Sequence, residues 1–153
     1  LDITLKNRHV YVGVQLISKF ADRELPWRIS YACGKSLVSL TDQFQLVEAE
    51  RQKIIRSHQK KDSDGIAMMK KGKDDLGREI DVPLLDDDDK TTQELDELLD
   101  LEVEVKVHCI TLNAWGEYME EKKCKECKRG PIDVSSLEMS ALIRLGILVD
   151  DDD

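Results

Sequence analysis

Leu1, Ile3 and Leu5 alternate with Asp2, Thr4 and Lys6, a period-two pattern that predicts a short strand. Asn7 follows as a residue suited to capping a helix. Two readings compete over Arg8 to Asp22. Val10, Tyr11, Val12 and Val14 carry strand propensity, whereas Val10, Val14, Ile17 and Ala21 share one helical face. The spacing after Gly13 selects the helix. Pro26 closes this element and suits the first turn of the next. The strongest signal in the chain comes there: Ile29, Cys33, Leu37, Leu40, Phe44, Val47, Arg51 and Ile54 recur every three or four residues, a near-heptad stripe holding one charge. Between Trp27 and Lys60 there is no proline, and Gly34 is the only glycine. One helix of about 51 Å is therefore predicted. Such a rod outruns a domain of this size, so its far half is expected to project or to pair with another chain. Phe44, Val47, Arg51, Ile54 and Ile55 are accordingly the candidate partner-binding residues.

Beyond the rod, Asp62-Ser63-Asp64-Gly65 reads as a turn, and Ile66–Met69 with Glu79–Val82 as a protruding hairpin around a charged turn at Lys73–Gly77. Asp86–Asp89 is expected to be solvated and mobile. Thr91-Thr92-Gln93-Glu94 has the form of a capping box opening a helix with Leu95, Leu98 and Leu99 inward. Leu101 to Leu112 reads as one strand, with Val103, Val105, Val107 and Cys109 facing the core and Glu102, Glu104, Lys106 and His108 facing water. Ser135-Ser136-Leu137-Glu138 is a second capping box. Its helix carries Leu137, Ala141, Leu142 and Leu145 and stops at Gly146, after which Ile147–Val149 can dock back. The predicted fold is α+β: one long helix and two or three shorter ones on a small antiparallel sheet. The predicted organisation is a single domain over 1–153, with a hairpin and acidic-loop appendage at 62–90, a charged insert at 113–131 and an acidic tail at 150–153.

Charge then narrows the function classes. The chain has 153 residues and a formal net charge of −9, which argues against nucleic acid and anionic membranes as partners. No run approaches the ~18 apolar residues of a spanning helix. The N-terminal residues lack the basic and apolar segments of a secretory signal. The chain opens at Leu1 without an initiator Met, implying a leading residue removed or left out.

Four cysteines suit a reduced compartment better than a disulfide scaffold. Cys124 and Cys127 form a CxxC pair, and Cys109 or His108 would complete a zinc site. No second pair follows, so zinc ranks below a plain reduced pair, and no other cofactor is expected. The aspartate runs lack the spacing of a calcium loop. Residues 122–129 carry a local charge of +4 without interleaved aromatics, which reads first as a solvated loop. His9, His58 and His108 stand outside any hydrolase or metalloprotease pattern, and Trp27 and Trp115 read as packing residues. No enzyme is expected.

The order of elements carries a resemblance. A short strand and helix end at Glu24-Leu25-Pro26. A charged helix runs through Glu48–Ile55 into an Asp-Gly hairpin, followed by Leu95-Asp96-Glu97-Leu98-Leu99, a Glu/Val strand and a capped C-terminal helix. This resembles a family of short proteins, without assigned activity, encoded by tailed phages and prophages. The resemblance covers most of the chain, and the insert with Trp115 and the cysteine pair departs from it. It implies a viral origin in a virion or host cytoplasm, with other phage proteins, or further copies of the chain, as partners. The expected role is a virion structural or assembly component. A host-directed inhibitor, acting by occupation or acidic mimicry, and a small zinc-binding module are the alternatives.

Overall fold

The computed structural model describes residues 1–121, 123, 125–126 and 133–151. The elements are β1 (Asp2–Lys6), α1 (Asn7–Ala21), α2 (Trp27–Ser57), β2 (Met69–Lys73), β3 (Glu79–Pro83), α3 (Asp88–Asp100), β4 (Glu102–Lys106), β5 (Ile110–Thr111), α4 (Leu112–Glu121), α5 (Ser136–Arg144) and β6 (Leu148–Val149). The fold is α+β with one long helix. The chain divides into two compact units, Leu1–Leu46 with Asp100–Asp153, and Val47–Leu99. The boundary falls within α2, so the second unit takes in more than the appendage predicted at 62–90.

The first unit holds the main core. β1 and β4 pair antiparallel with Ile3 opposite Val105 and Leu5 opposite Val103. Val10, Val14, Ile17 and Phe20 of α1 pack with Ile29, Cys33 and Leu40 of α2 and with Leu142, Leu145 and Ile147. Asn7 is not a cap. It is the first helical residue and is buried, its backbone N–H donating to the Leu101 carbonyl at 2.9 Å and its Oδ1 accepting from Gln43 Nε2 at 2.9 Å. α1 and α5 lie antiparallel. At one end a Cβ on Gly13 would meet Leu145 Cδ1 at 2.6 Å, and at the other Arg23 binds Glu138. The second capping box forms as predicted: the Glu138 backbone N–H donates to Ser135 Oγ at 3.2 Å, and the Ser135 backbone N–H donates to Glu138 Oε2 at 2.9 Å. Those bonds, the one from the Ser135 backbone foremost, together with Arg23 hold the Glu138 carboxyl below the usual range against the opposing effect of burial. α5 ends at Arg144 with Leu145 as its cap, and Gly146 follows with a φ of 65° that a side chain would resist.

Several expectations are corrected here. The strand predicted from Leu101 to Leu112 breaks after Lys106: Leu1 and Val107 exchange the last pair of backbone hydrogen bonds, each at 2.9 Å, and Ser36 Oγ then accepts from the His108 backbone N–H at 2.9 Å and donates to its carbonyl at 3.3 Å. The chain resumes at β5, which pairs parallel with β6, so Cys109 is exposed rather than inward. The insert begins as α4, whose Trp115 is buried and stacks on Phe20 at 6.0 Å. Leu137 is 70% exposed, outside the core assigned to it.

In the second unit β2 and β3 form the expected antiparallel hairpin, Gly72 opposite Ile80. Its turn closes on Asp74, whose Oδ1 accepts from Leu76 and Arg78 backbone N–H groups at 3.0 and 2.8 Å. The acidic run is not wholly loop. Asp87 Oδ1 accepts from the Lys90 backbone N–H at 2.9 Å, and α3 starts at Asp88, where carboxylates suit the positive end of the helix dipole. Thr91 is therefore inside the helix and buried, not a cap, with its hydroxyl donating to the Asp87 carbonyl at 2.7 Å.

Candidate functional site

The predicted outer stripe of α2 faces inward more than expected. Val47 is 1% exposed, Phe44 is half-buried and stacked on Tyr11 at 4.9 Å, and Ile54 and Ile55 are half-buried. Arg51 pairs with Glu48 at 3.3 Å. The helix is unbroken, as predicted, and of the five candidate contact residues Val47 alone is fully covered.

A more exposed apolar row lies on the opposite side of the same helix. At about 100° per residue, Trp27, Tyr31 and Val38 fall within an arc of roughly 40°. Ile29, Cys33, Ser36, Leu40 and Val47 are centred across from them. Trp27 is 67% exposed, Tyr31 51% and Val38 63%. The burial of the inner stripe fixes the orientation of the outer row. The Ser36 bonds to His108 then seat the β4–β5 junction beside it.

Around the row two hollows open. One, of about 370 Å³, is lined by Trp27, Arg28, Tyr31, His108, Cys109 and Tyr118. The Arg28 guanidinium sits 4.9 Å from the Trp27 ring and 4.9 Å from the Tyr118 ring and pairs with Glu121 at 3.6 Å. His108 meets Tyr31 edge-on at 5.4 Å. The other, of about 490 Å³, runs from Tyr31 past Lys35 and Val38 to Lys106 and Leu1. Lys35 Nζ stands 5.9 Å from the Tyr31 ring. Chemically this is a face of planar rings and aliphatic groups edged by cations.

Two of the four residues assigned to a zinc site, His108 and Cys109, are at this face. The other two, Cys124 and Cys127, lie outside the described residues. Among the described residues no group of His, Cys, Asp or Glu is placed to hold a metal ion. Burial pushes the Cys33 thiol up to about 11, which leaves it unreactive. His58 Nε2 meets Glu94 Oε2 at 2.8 Å and joins the end of α2 to α3. No described helix is long and apolar enough to cross a membrane.

The row was missed in the sequence because Trp27 reads as a packing residue there. The 27/31/38 spacing was the available signal, and it becomes decisive once the inner stripe is known to be buried. No family model, curated protein or solved structure matches this chain.

Proposed function

We propose that the protein is a non-enzymatic contact protein that docks protein partners on the Trp27–Tyr31–Val38 face, serving as a structural or assembly component of a phage particle. The row itself carries this reading. Tryptophan and tyrosine concentrate binding energy at protein interfaces. Here they stand exposed on a helix whose other side is locked in the core, so covering them requires little new ordering. Lys35 and Lys106 supply the polar border such a patch uses. The particle role rests on the resemblance to short tailed-phage proteins, which makes other particle proteins or further copies of the chain the partners.

Mass spectrometry of purified particles tests both parts. The protein is expected at a fixed copy number. Replacing Trp27 and Tyr31 together by alanine is expected to lower incorporation at least about tenfold, the scale of losing two interface anchors. Absence from particles overturns the particle role, and unchanged incorporation of the folded double variant overturns the docking face.

A further inference from the structure

A second surface, in the same unit, has a different character. α1 and α5 approach closely at Gly13, and the seam between them is a groove of about 340 Å³. Its floor is Gly13, Ala141 and Leu145. Val12, 58% exposed, stands on one bank and Leu137, 70% exposed, on the other. Because the helices are antiparallel, the groove has unlike ends. Leu16 and Leu137 lie at the apolar end, and Arg8, His9 and Arg144 at the other.

The charged end is cationic in a chain of net charge −9. Lys6 and Arg8 share one carboxylate, Asp100, at 3.4 and 2.9 Å, and Arg144 has no ion-pair partner among the described residues. Burial first, then Arg144, Lys6 and Arg8, disfavours protonation of His9, and Asp100 opposes them. An occupant with apolar side chains and carboxylates at one end would match both halves. The apolar banks stand in solvent instead of enclosing a slot, which favours a broad, side-chain-bearing partner over a single acyl chain. From Arg8 to Leu16 the groove runs about 12 Å, two turns of a docked helix and room for anchors at i, i+3 or i+4, and i+7.

We infer that the α1–α5 groove receives an amphipathic helix from a partner protein, its apolar face between Val12 and Leu137 and its acidic end against Arg8 and Arg144. This surface is separate from the α2 row, and its test is independent of that reading. The probe is a pair of synthetic helical peptides with leucines at i, i+3 and i+7, identical except that one carries glutamates and the other lysines at one end. Binding to the full chain is followed by amide chemical shifts. The glutamate peptide is expected to bind saturably with shifts along Val12–Leu16 and Leu137–Leu145. Arg144→Glu and Leu137→Asp, both surface changes, are each expected to weaken it about tenfold or more. Equal binding of the two peptides, binding unaffected by either substitution, or no binding at millimolar peptide overturns the proposal. So does sodium dodecanoate occupying the groove where the glutamate peptide does not, which would make it a lipid-chain site.

Discussion

Replacing Gly13 by alanine tests the close passage of α1 against α5, and Gly34→Ala provides its control. Both glycines are helical and both belong to the first unit. In a helix interior alanine is favoured over glycine by about 0.8–1.0 kcal/mol. At Gly34 a Cβ meets nothing within 4 Å, so that gain should be realised. At Gly13 the new Cβ falls 2.6 Å from Leu145 Cδ1 and 3.0 Å from Leu145 Cγ. Leu145 is fully buried and packed in the core, so making room for the new Cβ shifts its isobutyl group against its neighbours. Overpacking of this kind costs about 1–3 kcal/mol. Gly13→Ala should therefore be a net loss of about 1 kcal/mol, and Gly34→Ala a gain of slightly less. At about 4 °C per kcal/mol the two variants should straddle the wild-type Tm by about 3–4 °C on each side. Differential scanning calorimetry of the full chain reads the transition. A Gly13→Ala protein melting at or above the wild type would show that Leu145 yields, and the close helix contact would lose its energetic meaning.

Other expectations follow from the same geometry. Val47→Asp should disrupt the fold by circular dichroism, because it buries an unpaired carboxylate at a cost of several kcal/mol, whereas Leu46→Asp, at a position 63% exposed, should change stability by less than about 0.5 kcal/mol. Burial foremost, then Arg144, Lys6 and Arg8, lowers the His9 pKa from 6.5. The unfolded chain therefore binds the proton more readily, so stability should be full above about pH 6.5 and fall as pH drops through the folded-state value. His9→Gln should flatten this part of a melting-versus-pH series, and an unchanged slope would contradict it. Glu138→Ala removes the capping box and the Arg23 pair and should cost about 2 kcal/mol by urea unfolding. In a Cys124→Ser, Cys127→Ser background, iodoacetamide should label Cys109 and spare Cys33 until the protein unfolds.

Period and cap chemistry made much of this fold readable. The Ile29-to-Ile54 stripe specified α2, and Ser135 with Glu138 specified the start of α5, since both signals are local. One failure was decided by a distant partner and another by a competing local cap. No local feature of Val107–Cys109 announces that the pairing with the β1 side stops at Val107 or that Ser36 will take the backbone groups of His108. Asp87 competes with Thr91 for the same cap, and the earlier residue wins by adding a helical turn whose carboxylates suit the dipole. For the site, periodicity defined α2 but left open which sides would be covered. The distal stripe was read as open because its length implied too few internal partners, yet Val47 is buried and the outward side belongs to Trp27, Tyr31 and Val38.

A photocrosslinking amino acid at position 31, in cells producing the protein and its natural partners, tests the docking face most directly. Leu76, 76% exposed and apart from any such row, is the control position. The account predicts one discrete protein adduct from position 31, displaced by excess wild-type chain and missing from position 76. No adduct at 31, or the same set of adducts from both positions, would contradict it.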